Sequence, residues 1–134
     1  MVFPFQHSMV VLFKGQLAGW AWGFQDDRDS YYMQNSAVLH EYRGKGLYSA
    51  MLDYVLEKLT AKGFQKIWSR HNCTNSAILI PKLKKGFQVT GTELNDKFGS
   101  MVCLSYYPNK TRRKIIEFRA GARPDAEVKA LAKL

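Results

Sequence analysis

An α+β fold, with a mixed, mostly antiparallel sheet around a β-α-β-α core, is predicted by three features of this 134-residue chain. Short apolar runs bounded by turn residues stand near both ends, which is the pattern of antiparallel hairpins. Two helical segments are interleaved with strands in the middle, and a crossover helix makes its flanking strands a parallel pair. The composition, 46% hydrophobic and 13% aromatic, suits one domain with one core.

Ser8 to Phe13 is a short apolar strand, Lys14-Gly15 a tight turn, and Gln16 to Phe24 the returning strand, with Trp20 and Trp22 on one face. Gln25 to Ser30 reads as a polar loop and Tyr31 to Leu39 as a third strand. Leu47, Met51, Val55 and Leu59 recur every four residues, and Leu52 and Leu56 widen the stripe, so a helix is predicted from Leu47 to Lys62. Lys58 and Lys62 suit its C-terminal dipole, and Gly63 suits its end. Gln65 to His71 reads as the next strand. Thr74 or Asn75 can cap a second helix running to Lys85, with Pro81 expected to kink or shorten it. Phe87 to Glu93 and Gly99 to Tyr106 read as two antiparallel strands. Beyond Pro108 the chain turns basic; Lys114 to Arg119 reads as a further strand and Pro124 to Leu134 as a short helix. The domain is therefore drawn over residues 1–107. Residues 108–134 form a basic C-terminal extension, part of the same domain or of a dimer contact.

The formal net charge is +9. From Lys110 onward eight Lys and Arg face three acids, so this tail alone supplies +5. Such charge draws polyanions: nucleic acid, an anionic cofactor or an acidic partner. The alternative is a solvated basic face. No apolar run is long enough for a bilayer, and Met1 to Gln6 carries no cationic stretch ahead of an apolar core. Cys73 and Cys103 do not suggest a disulfide framework. A cytoplasmic protein with no membrane partner is the expectation. His71 and Cys73, separated by one residue and without a second pair, do not make a metal site, so no metal is expected.

The segment with most chemical content is Val38-Leu39-His40-Glu41-Tyr42-Arg43-Gly44-Lys45-Gly46-Leu47-Tyr48. A strand enters a loop with two glycines and two cations, and a helix follows. The first turn of a helix has unpaired N–H groups and partial positive charge, and glycine lets a phosphate reach the backbone.

Arg43 and Gly46 fit the pyrophosphate-loop pattern of the GNAT acetyltransferase superfamily, and Asn75 with Gly86-Phe87 fits its second helix. On these residues the stretch from Met9 to Tyr106 resembles that family. The family pattern has a small residue where Tyr48 stands. The resemblance implies an acyl-CoA N-acyltransferase fold and acetyl-CoA as acyl donor. It implies that the backbone of Val38 and Leu39 binds pantetheine. It further implies that Arg43, Gly44, Lys45, Gly46, Leu47 and Tyr48 cradle the pyrophosphate, and that Asn75 contacts the pantetheine or phosphate region. The family often has a Tyr seven residues after the Asn, where it protonates the departing thiolate; here that position is Lys82.

For the base, His71 and Glu41 are the candidates, since imidazole titrates near neutrality. For the acid, Tyr106 and Ser76 are alternatives to Lys82, which suits the role only if burial lowers its pKa. Trp20, Trp22, Trp68, Tyr31 and Tyr32 read as sheet core, with an acceptor-pocket lining as the alternative. Family members usually begin with a strand and two helices, whereas only Met1 to His7 precede the hairpin here, so the chain reads as shortened and a homodimer could complete the site. The expected activity is direct transfer of acetyl from acetyl-CoA to a primary amine, on a small molecule or a peptide. The alternatives are a non-catalytic CoA-binding or regulatory module on the same fold, and nucleic-acid binding through the tail. The tail lacks a recognised nucleic-acid motif and interleaved aromatics, which disfavours the last.

Overall fold

The computed structural model describes residues 5–123 and 125–131. Six strands and four helices follow in chain order: β1 Gln6–Phe13, β2 Gln16–Asp27, β3 Ser30–Val38, α1 Leu47–Ala61, β4 Lys66–Asn72, α2 Ser76–Lys85, β5 Gln88–Asn95, β6 Gly99–Tyr106, α3 Lys110–Arg119 and α4 Ala126–Leu131. The sheet order is β1-β2-β3-β4-β6-β5. Among the described strands only β3 and β4 run parallel, so the expected mixed, mostly antiparallel sheet is what forms.

The first hairpin turns on Lys14 (φ 51°) and Gly15 (φ 79°), both left-handed, the geometry that matches strand twist in a two-residue turn. The predicted loop of residues 25–30 is shorter than expected. Strand β2 continues to Asp27 and β3 starts at Ser30, leaving a two-residue turn. Helix α1 buries its predicted stripe except Leu47: Met51, Leu52, Val55, Leu56 and Leu59 cluster with Tyr31, Met33, Ile67 and Leu104 from the sheet and with Phe87, which follows α2. Trp22 on the opposite sheet face is exposed, as is Val10, and Trp20 there donates Nε1–H to Asn35 Oδ1 at 2.7 Å. Of the aromatics read as core, Tyr31 is one.

Two tail expectations change. Lys114 to Arg119 is not a strand but the second half of α3. Asn109 Oδ1 accepts from Arg112 N–H at 2.9 Å, and this cap at the helix start overrides the β-branched pair Ile115-Ile116. The predicted last helix is described over Ala126–Leu131; Pro124 and residues 132–134 lie outside the described residues. Asp125 Oδ1 accepts from Val128 N–H at 2.9 Å and sets that helix's start. Arg112 and Arg113 lay their guanidinium groups over Tyr107 and Tyr106, which seats α3 on the domain. Among the described residues no helix is long and apolar enough to cross a membrane.

Pro81 does not end α2; the helix runs on to Lys85 and closes at Gly86 (φ 104°). Because proline has no N–H, the Ala77 carbonyl loses its partner four residues on.

Candidate active site

The parallel pairing of β3 and β4 is brief. Ser30, Tyr31 and Tyr32 pair with Lys66, Ile67 and Trp68, and beyond them the strands part. A strand pair that splays leaves unpaired backbone edges facing each other. Above this wedge, between the end of β3, the glycine loop and α2, lies a cleft of about 470 Å³. Ser36, Ala37 and Val38 form its β3 wall, and Asn75, Ala77, Ile78 and Pro81 its α2 wall. Arg43, Gly44, Gly46, Leu47 and Tyr48 form its mouth.

The mouth is built for an anion. Gly44 (φ 78°) and Gly46 (φ 76°) both hold left-handed conformations, and a Cβ at either would meet nothing within 4 Å. The glycines are thus required by backbone shape, not by crowding, and their surroundings stay open. Gly46 is the N-cap of α1, no side chain caps that helix, and its first turn carries no acid. Uncapped N–H groups and the positive end of the helix dipole therefore meet the cleft. These residues fit a pyrophosphate.

Of the residues expected at the donor site, Leu39 and Lys45 lie outside the cleft lining. Leu39 is turned away: its N–H donates to Ala18 O at 2.7 Å. Strand alternation then leaves Val38 and Ser36 on the open edge, so these, not Leu39, offer backbone to a ligand. The Val38 carbonyl accepts from Arg43 Nε at 3.0 Å, so Arg43 braces the loop against the strand as well as lining the mouth. Lys45 lies outside the lining, its ammonium 5.5 Å from the Phe13 ring centre. Tyr48 is half-buried and its hydroxyl hydrogen-bonds Ser36 Oγ at 3.1 Å. The larger residue therefore ties α1 to β3, and burial raises its pKa. Asn75 lines the cleft, and its side chain does not cap α2.

The catalytic candidates do not come together. Glu41 sits exposed in a short 3₁₀ turn, His40–Tyr42, outside the cleft lining. Tyr106 pairs with Ile67, whereas His71 pairs with Val102. Four residues of strand separate the two sites, roughly 13 Å. Tyr106 instead packs on Phe87, with Arg113 on it, away from the splayed end. Ser76 is exposed at the first turn of α2. His71 alone reaches the wedge. Its Nε2 is 2.8 Å from Ser69 Oγ and 3.2 Å from Lys82 Nζ. Burial, and then the Lys82 charge, push its pKa down to about 3. An imidazole held that low is a poor proton acceptor near neutrality.

Lys82 is the residue that sequence reasoning underrated. It is fully buried, and its Nζ donates to Ser69 Oγ at 2.7 Å, lies 3.7 Å from Met33 Sδ, and stands over the Phe87 ring. No carboxylate is among these partners, and burial pushes its pKa down to about 7. Met33 and Ser69 are the first residues past the last paired positions, Tyr32 and Trp68. The amine thus plugs the apex where the two strands part. The sequence held a signal: Lys82 stands four residues after Ile78, on the helix face that fills the cleft.

Solved structures of similar shape include acetyltransferases. The ribosomal-protein-S18-alanine N-acetyltransferase of Escherichia coli superposes with a TM-score of 0.67 at 19% identity, over 76% of this chain and 68% of that one. A Bacillus subtilis acetyltransferase in complex with CoA gives 0.69 at 16% identity, over 76% of each chain. A GNAT family acetyltransferase from Elizabethkingia anophelis with acetyl-CoA bound gives 0.66 at 16%, again over 76% of each. At such identities the likeness shows the fold alone. No curated protein sequence matches the chain. The family model described as Acetyltransferase (GNAT) family matches residues 2–79, more than half of the sequence, and the chain belongs to that family.

Proposed function

We propose that this protein transfers the acetyl group of acetyl-CoA directly to a primary amine, on a small molecule or a peptide. The observation that carries the reading is the cleft itself, with an uncapped helix N-terminus and two left-handed glycines at its mouth; a buried amine stands one helical turn beyond its lining residue Ile78, where two parallel strands part.

Gly44, Gly46, Leu47 and Tyr48 would hold the pyrophosphate through backbone N–H groups. The open edge of β3 at Ser36 and Val38 would hold the pantetheine arm as an added strand. Bound there, acetyl-CoA supplies an acyl group activated as a thioester. Lys82 holds the proton that a departing thiolate takes. An ammonium near pKa 7 is acidic enough to protonate an alkyl thiolate, since the thiol's reference value is about 8.5. Its charge, unmatched by any carboxylate, gains a counter-charge only as the thiolate forms, so its attraction is strongest in the transition state. The low pKa of His71 suits a neutral hydrogen-bond partner for Lys82 and not a base. The acceptor would then enter as a free amine.

That neither His71 nor Glu41 lines the cleft favours one second reading, a CoA-binding module without turnover. Calorimetric titration with acetyl-CoA, beside a Gly46→Glu variant, tests the site; thiol release with a panel of primary amines tests the transfer. Binding lost in the variant, with thiol release by the parent, fits the enzyme. Binding without release by any amine fits the module. No binding by the parent refutes both.

A further inference from the structure

The apex of the wedge holds a nucleophile as well as an acid. Lys82 is fully buried and stands outside the cleft lining, beside Pro81 and one helical turn beyond Ile78, both of which line it. Along α2, Ile78 and Pro81 line the cleft, and Lys82 is the next residue on the Ile78 face. Along β3, Ser36 lines it, and Met33 lies three residues deeper, roughly 10 Å of strand. Met33 Sδ and Lys82 Nζ stand 3.7 Å apart and close the end. A linear ligand anchored by phosphate at the glycine loop and lying along the Ile78 and Pro81 wall would run its far end toward the helical turn that carries this amine. A residue that served only to plug the apex would be apolar, since a buried ammonium without a carboxylate is costly.

We propose that Lys82 is itself an acetylation site: with no amine acceptor present, its Nζ takes the acetyl group from acetyl-CoA and is left as Nε-acetyllysine. This rests on the reading of the cleft as an acetyl-CoA site. The neutral amine of Lys82 adds to the thioester carbonyl carbon. The C–N bond forms as the C–S bond breaks, the electron pair of that bond goes to sulfur, and the proton shed by nitrogen goes to the thiolate. The products are an amide on Lys82 and the free thiol of CoA, with no further reactant. The amine is available as a nucleophile because burial leaves a substantial neutral fraction near pH 7. Among the described residues that meet Nζ, only His71 of β4 titrates; β3 contributes Met33, β4 also contributes Ser69, and Phe87 follows α2. The amide can still donate its N–H to Ser69 or His71, carries no charge to bury, and lengthens the side chain into the cleft. Modification thus removes the proton donor and obstructs the donor site, which makes it self-limiting.

The test is a peptide mass map of the whole protein after incubation with acetyl-CoA at mildly alkaline pH without added amine, with the binding titration run beside it. The expected result is one acetyl group on Lys82, released thiol in equal amount, and loss of that modification when excess CoA competes or when Gly46 is changed to Glu. Exposed Lys84 and Lys97 report ordinary chemical acetylation, and CoA should not protect them. Acetylation of Lys82 that CoA fails to suppress would overturn the proposal. So would acetyl-CoA binding with Lys82 left unmodified, and the acetyl-CoA reading would then stand by itself. Absence of binding would remove that reading and the proposal with it.

Discussion

Replacing Lys82 with Met should make the protein more stable near neutrality, and the gain should vanish as the pH rises. Met conserves volume and unbranched shape. In the unfolded chain Lys82 titrates at 10.5, and in the fold at about 7. Between these values the unfolded chain binds more protons, so stability rises with pH. Because the side chain is fully buried, solvent screening does not dilute the effect. The linkage relation gives a penalty of about 4 kcal/mol near pH 7 that falls to about 2 kcal/mol near pH 9. Met abolishes the penalty but also loses the bonds from Nζ to Ser69 and His71, about 1 kcal/mol each. Ser69 and His71 still bond to each other. The net expectation is a variant about 2 kcal/mol more stable than the parent near pH 7 and equal to it near pH 9. Urea unfolding followed by tryptophan fluorescence at both pH values measures this. A variant whose stability climbs with pH as steeply as the parent's, or one less stable than the parent near neutrality, would refute the account of a buried amine without a counter-charge.

The remaining predictions are simpler. His71 is neutral in the fold down to about pH 3 but takes a proton near 6.5 when unfolded, so the parent should lose stability as pH falls through that window. Urea midpoints at about pH 6.5 and about pH 5 should show a smaller loss in His71→Gln. Gly46→Ala forces a left-handed φ of 76° on a residue with a Cβ, though it meets no neighbour. It should lower stability by about 1 kcal/mol in thermal unfolding, with the fold intact by circular dichroism. Tyr48→Phe removes the bond to Ser36 and should cost about 1 kcal/mol by urea unfolding. Leu52→Ala, at a fully buried position on α1, should cost about 2–5 kcal/mol by the same measurement.

What was legible in the sequence was local. The four-residue period of α1, the Lys14-Gly15 turn and the glycine loop depend on neighbours within one or two turns of chain, and the structure keeps all three. The cleft mouth was legible for the same reason. The deeper site was not, because it depends on strand register. Tyr106 and His71 are both near the ends of strands in sequence, yet the β4–β6 alignment sets them four positions apart. The direction of the Leu39 N–H depends on how β3 meets β2, where register shifts interrupt the pairing. Lys82 stands close to Lys84 and Lys85 and looks like another solvated cation of a helix end. The sequence marks its position, but its burial appears only in the fold, where Lys85 reaches an ion pair with Asp53 while Lys82 turns inward. A mid-helix lysine aligned with an apolar face is the conflict between pattern and residue type that marks functional positions.

The basic tail invites a different reading from its composition than from its contacts. Arg112 stands 4.6 Å from the Tyr107 ring centre and Arg113 4.5 Å from that of Tyr106, while Lys114 bridges to Asp125 and Glu127. Three neighbouring cations thus join α3 to the sheet and to α4. Arg113 also donates Nε–H to the Tyr107 carbonyl at 3.0 Å, and its side chain lies beside Gly86, at the end of the helix that carries Lys82. A charge held in this way acts mainly through packing, and each cation–π contact contributes about 0.5–2 kcal/mol. Arg113→Ala should therefore lower the urea midpoint and speed proteolysis at the α2–β5 corner. Binding to a DNA oligomer, if any is detected, should fall with salt to the same degree in parent and variant. A variant with unchanged stability and a shallower salt dependence would instead put Arg113 in a polyanion-binding surface, and the packing account of the tail would be wrong.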